Sequence, residues 1–184
     1  MRLISGKYKG RELKGFDILG TRPTEARVKE SLFAKIMNNI QNASVLDLFA
    51  GSGNLGIEAL SNGAKNCIFV DNNIKAIKTI KENINTFVQE ETKVYKMDYQ
   101  DALNYFKKNK LTFDIIFLDP PYQKDYIKNI LPLLKKDILN KNGLVICEVN
   151  DKDVLKTSPF EVYKEGKYGD KYIIIYQKRE EKND

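Results

Sequence analysis

Histidine and tryptophan are both absent from the 184 residues, and cysteine occurs only twice. Without histidine the commonest general base near neutral pH is missing, and so is the commonest zinc ligand. Cys67 and Cys147 each sit inside an apolar, strand-like run, so they read as buried reduced thiols rather than a disulfide or a metal site. No apolar run approaches the ~20 residues of a membrane-spanning helix, and the first residues lack the apolar segment of a signal peptide. These absences point to a cytoplasmic protein with no metal and no membrane partner.

What is present is one sizeable core and an uneven charge. A hydrophobic content of 42% over this length suits one well-buried domain rather than two. Of the net charge of +6, residues 1–44 hold nine Lys/Arg against four Asp/Glu, and the remainder twenty-two against twenty-one. A basic N-terminal arm on a near-neutral body suggests a polyanionic partner, nucleic acid before others. In that arm Lys7, Lys9 and Arg11 interleave with Tyr8 and Phe16, a mixture suited to phosphate contact and base stacking. Arg22, Arg27 and Lys29 fit phosphate contact or solvent equally well, and of these Arg22 and Arg27 are taken as candidates for substrate contact.

Residues 1–16 alternate enough to predict short strands in a hairpin. A helix is predicted to start at Pro23 or Thr24, with Val28, Leu32, Phe33, Ile36, Met37 and Ile40 at helical spacing. Strands are then predicted over 44–48, 66–70, 92–95, 113–118 and 143–149, alternating with helices over 54–62, 74–90, 101–108 and 126–139. Such alternation makes a parallel sheet covered on both faces. Two last strands, 160–166 and 171–178, meet at Gly169-Asp170 with no helix between them, which adds an antiparallel strand. The expected organisation is a basic extension over 1–43, an α/β domain over 44–178 and a charged, disordered tail over 179–184, all in one compact unit.

Val45–Gly56 passes from a buried strand through Gly51 and Gly53 into a helix, so backbone N–H groups converge on a ligand position. Gly51-Ser52-Gly53-Asn54-Leu55-Gly56 matches G-x-G-x-x-G, with Asp71 twenty residues after Gly51, where a carboxylate can bind ribose hydroxyls. Asp47 discriminates between cofactors: a carboxylate beside the ligand favours the cationic S-adenosylmethionine over a dinucleotide pyrophosphate. Asp98, just past the third strand, suits the adenine amino group. The simpler alternatives are helix capping for Asp71 and a solvated loop for Asp98.

Asp119-Pro120-Pro121-Tyr122 directly follows the fourth predicted strand. Its two prolines cannot donate backbone hydrogen bonds and leave carbonyls free. Asp119 and the Pro120 carbonyl can accept both N–H bonds of an exocyclic amino group and aim its lone pair at a methyl donor, with Tyr122 stacked on the base. That chemistry needs no histidine.

With these motifs the chain resembles the RsmD family, bacterial guanine-N2 methyltransferases of small-subunit rRNA. The resemblance spans Arg2–Gly10, Thr21–Thr24, Arg27–Phe33, Val45–Gly56 and Asp119–Tyr122. It implies a Rossmann-like class I methyltransferase of the α/β class, its sheet seven-stranded and mostly parallel with the last strand antiparallel. It also implies a basic extension engaging 16S rRNA or the small ribosomal subunit. Asp47, Phe49, Ala50, Gly51, Gly53, Asp71, Asn72, Asp98 and Tyr99 are the expected cofactor residues, and Asp119 to Tyr122 the catalytic loop. Nothing in the sequence demands a dimer, so a monomer is expected. The alternatives are a DNA adenine or cytosine amino-methyltransferase, for which the chain lacks room for a target-recognition domain, and a non-catalytic RNA-binding assembly factor on the same scaffold.

Overall fold

The computed structural model describes residues 1–15, 23–121, 125–149 and 159–178, the side chains of 23–25, 125 and 136 excepted. In chain order the elements are α1 (Pro23–Ile40), β1 (Ser44–Asp47), α2 (Asn54–Ser61), β2 (Asn66–Asp71), α3 (Ile74–Phe87) and β3 (Glu91–Lys96). Then come α4 (Tyr99–Lys108), β4 (Phe113–Leu118), α5 (Asp125–Asp137), β5 (Leu139–Val149), β6 (Glu161–Tyr168) and β7 (Lys171–Gln177). Among the described residues the strands form one seven-stranded sheet in the order β3-β2-β1-β4-β5-β7-β6. β1 to β5 pair in parallel, and β7 inserts antiparallel between β5 and β6. The last strand of the chain is thus antiparallel, as expected, but β6 rather than β7 forms the edge.

The central strands are buried on both faces because their side chains feed two separate apolar layers. Val45, Phe69, Ile115 and Phe117 face α1, α2 and α3, whereas Leu46, Val70, Ile116 and Leu118 face α4 and α5. Leu3, Tyr8 and Leu13 of the N-terminal segment join the first layer. No helix among the described residues is long and apolar enough to cross a membrane.

Several boundaries differ from the sequence reading. α4 begins at Tyr99 rather than 101 because the Asp98 carboxylate caps it, accepting from the Gln100 N–H at 2.9 Å. α3 stops at Phe87 because the chain beyond it is held by the arm: the Gln89 N–H donates to the Tyr8 hydroxyl, which donates to Glu90. α5 ends at Asp137 and β5 starts early, since Leu139 already pairs with Phe113 before a register shift. The expected N-terminal hairpin reduces to one antiparallel bridge, Arg2 with Glu12. Backbone bonds from the Leu3, Gly10 and Leu13 N–H groups to the Arg11, Leu3 and Met1 carbonyls flank that bridge, and in the turn the Lys7 N–H bonds to the Ser61 carbonyl of α2. The tail over 179–184 lies outside the described residues.

Candidate active site

The carboxyl ends of β3, β2, β1 and β4 lie side by side in that order, and the strand order reverses at β1, with β2 and β3 on one side and β4 on the other. A crevice at such a reversal of strand order is where open α/β sheets bind ligands. Asp98 follows β3, Asp71 ends β2, Asp47 ends β1 and Asp119 follows β4. Three inter-strand spacings, roughly 14 Å, separate the outermost of these strands.

Asp47 is 2% exposed, and its Oδ2 accepts the Gly56 N–H at 2.9 Å. Burial lifts its carboxyl to about 7, the Gly56 hydrogen bond opposes the rise and the charge of Asp71 adds to it. Asp71 is spread over the turn, with Oδ2 accepting the Gly51 N–H at 2.9 Å and Oδ1 the Asn73 N–H at 2.8 Å. Helix capping falls to Asn73 and Asp98 rather than to Asp71. Asn72 is exposed beside it. Ala50 stays tied to β2 through Val70, and the Gly53 N–H closes the turn on the Ala50 carbonyl at 2.7 Å. Gly53 is the left-handed N-cap of α2 and has no side chain of its own to cap it; in the first turn the Gly56 N–H goes to Asp47. Gly56 is required by close approach: a Cβ there would stand 2.3 Å from the Phe69 ring and 2.7 Å from the Cys67 sulfur.

Across the crevice Asp119 is exposed, Pro120 half-buried and Pro121 exposed. Tyr122 lies outside the described residues. Just past that loop, Tyr126 of α5 meets Phe49 and Tyr99 in a cluster of three half-buried rings, with centroids 5.4 to 5.9 Å apart. The cluster joins the turn after β1, the start of α4 and the start of α5.

The family described as conserved hypothetical protein 95 matches residues 1–177. The chain is 41% identical to YlbH of Bacillus subtilis, provisionally named an rRNA methyltransferase, over 97% of this chain and 100% of the relative. It is 34% identical to ribosomal RNA small subunit methyltransferase D of Haemophilus influenzae, over 96% of this chain and 93% of that one. The chain belongs to the RsmD family. Among solved structures, yhhF of Escherichia coli, provisionally named a methyltransferase, superposes with a TM-score of 0.86 at 29% identity, covering 97% of this chain and 98% of that one. The fold is that of the class I methyltransferases.

In this RsmD-family chain the arm is docked along α2 and α3. Of its basic residues, Lys7 pairs with Glu90, whose carboxylate, together with the Tyr8 hydroxyl, holds the Lys7 pKa above its ordinary value. The Arg11 guanidinium lies 5.8 Å from the Phe87 ring centroid, and Lys9 is exposed. Arg27 is exposed near the start of α1, and Arg22 lies outside the described residues. Lys29, left open between phosphate and solvent, does neither. It is 8% exposed and donates to Glu58, Asn54 and the Arg2 carbonyl.

Sequence reasoning missed Glu58, Asn83 and Tyr126. Glu58 is fully buried and accepts from the Ile4 and Ser5 N–H groups at 3.0 and 2.9 Å and from Lys29 at 3.0 Å. Asn83 grips the arm at Lys14. A legible signal existed for both: each is a polar residue set within an apolar stripe, Glu58 between Ile57 and Ala59, Asn83 between Ile80 and Ile84.

Proposed function

We propose that the chain methylates the exocyclic N2 of a guanine in 16S rRNA, with S-adenosylmethionine as methyl donor. The observation that carries this reading is the adjacency of β1 and β4, which sets the Asp47–Gly53 turn beside the Asp119-Pro120-Pro121 loop. The donor set suits this cofactor. A buried carboxylate (Asp47) and a carboxylate at the end of β2 (Asp71) favour a cationic, ribose-bearing molecule. Asn72, Asp98, Tyr99, Phe49 and Ala50 would complete its walls. When bound, S-adenosylmethionine supplies an electrophilic methyl group.

Asp119 and the Pro120 carbonyl accept the two N–H bonds of the guanine amino group. This draws the nitrogen lone pair out of the ring and toward the methyl carbon. Asp119 and Pro120 would so hold the amino nitrogen for attack on the methyl group that the cofactor would supply, and the displaced amino proton would pass to water. Tyr122 stacks on the base. Guanine N2 lies on the Watson–Crick edge, so an unpaired or extruded base is the substrate form. Residues 1–43 serve as the RNA-engaging extension, through Lys7, Lys9, Arg11, Arg22 and Arg27, and residues 44–178 as the methyltransferase domain of a cytoplasmic monomer.

Radiolabelled S-adenosylmethionine offered with 16S rRNA, small subunits, 23S rRNA or duplex DNA tests the reading. Label is expected as N2-methylguanine in small-subunit RNA alone. Label in DNA or as methyladenine would overturn the substrate, and cofactor binding without transfer would favour an assembly factor. Asp119→Ala is expected to keep RNA binding and lose at least about 100-fold in turnover, the scale for removing a group that stabilises the transition state; unchanged turnover would remove Asp119 from the mechanism.

A further inference from the structure

Asn83 is 3% exposed, and all of its donors are used. Its Oδ1 accepts the Lys14 N–H at 2.8 Å, and its Nδ2 donates to the Lys14 carbonyl at 3.0 Å and to the Ser52 carbonyl at 2.9 Å. The paired exchange with Lys14 fixes which end of the amide is oxygen, and therefore which proton remains for Ser52. Ser52 lies between the two glycines of the cofactor turn. One side chain thus joins the backbone of the basic arm to the turn.

The arm has a second buried anchor, where Ile4 and Ser5 bond to Glu58. The exposed Lys9 and Arg11 lie between the two anchors. Release of the arm at Lys14 would leave a buried donor and acceptor of Asn83 without partners. The order of the arm and the order of the turn are therefore linked through this amide.

We propose that Asn83 is a positioning residue that couples RNA engagement by the arm to cofactor binding at the Gly51–Gly53 turn. RNA that holds the arm in place secures Asn83, which in turn holds Ser52 in the conformation that receives the cofactor. Coupling between two binding sites is reciprocal, so the cofactor also tightens RNA binding by the same factor. This inference rests on the reading that the arm contacts RNA.

The test is the dissociation constant of S-adenosylmethionine with and without a 16S rRNA transcript, for the natural chain, Asn83→Leu and Lys14→Ala. The natural chain is expected to bind cofactor about 5- to 10-fold tighter with RNA present, within the usual range of coupling between sites. Asn83→Leu is expected to bring that factor to about one, and Lys14→Ala, which keeps the backbone bonds, to leave it unchanged. A residue that merely stabilised the fold would alter both affinities without altering their ratio. Retention of the full factor in Asn83→Leu, or a factor of one in the natural chain while RNA binding depends on Lys9 and Arg11, would overturn the coupling alone. RNA binding indifferent to Lys9→Ala and Arg11→Ala would defeat the arm reading and the coupling with it. Hydrogen exchange supplies a measurement free of variants: the transcript without cofactor is expected to slow exchange of the Gly51 and Gly53 amides, and unchanged exchange would overturn the proposal.

Discussion

Burial lifts the Asp47 carboxyl to about 7 in the folded chain, from 3.8 for an unperturbed aspartate. Between those values the folded state holds a proton that the unfolded state has released, so this residue's contribution to stability falls as pH rises and levels off above pH 7. Asn at this position keeps an oxygen for the Gly56 N–H and has no charge to bury. Asp47→Asn is therefore expected to gain stability relative to the natural chain as pH rises, by on the order of 2 kcal/mol between pH 5 and pH 8. Urea unfolding of both proteins at each pH reads the difference directly, and a difference independent of pH would show that Asp47 stays ionised in the fold. The cofactor should reverse the sense of this cost. A cation beside the carboxylate favours its ionised form, which is the physical case for an aspartate here at all.

The three elements α1, α2 and the arm meet at a buried ion pair. Glu58 and Lys29 form a pair with 0% and 10% of their side chains exposed, and the arm's Ile4 and Ser5 complete the shell around the carboxylate. Removing one partner of a buried pair leaves an uncompensated charge. Glu58→Ala is accordingly expected to destabilise the protein by about 3–5 kcal/mol, while a Glu58→Leu, Lys29→Met double variant recovers most of that loss. Chemical denaturation of the three chains tests this, and a double variant as unstable as Glu58→Ala would show that the arm's hydrogen bonds, not the charge, dominate. The same region marks where reading the sequence stopped. The glycine turn, the strand ends and the proline loop were legible because each is encoded within a dozen residues by period and turn chemistry. Glu58, Lys29 and Asn83 owe their roles to partners 25 to 69 residues away, which a polar residue breaking an apolar stripe marks but does not identify.

At the scale of the whole molecule, the excess positive charge is concentrated before β1, on a segment that docks beside α3 and ends at the cofactor turn. Sequence composition showed that asymmetry, but not which of the cations are already neutralised. Arg2 pairs with Glu12, Lys7 with Glu90 and Lys14 with Glu82, whereas Lys9 is exposed and Arg11 lies beside an aromatic ring. A cation that already has a carboxylate partner displaces fewer RNA counterions than one that does not. The dependence of RNA affinity on salt therefore separates them, since each phosphate contact contributes about 0.7 to the slope of log K against log salt for single strands. Lys9→Ala is expected to lower that slope by about 0.7 and to weaken binding alike across RNA sequences, the behaviour of a phosphate contact. Lys7→Ala is expected to change it by less than half as much, because Lys7 is already neutralised by Glu90 and displaces few RNA counterions. Equal slopes for the two variants would mean that Glu90 swings away when RNA binds, and an unchanged slope in both would move the RNA path off the arm.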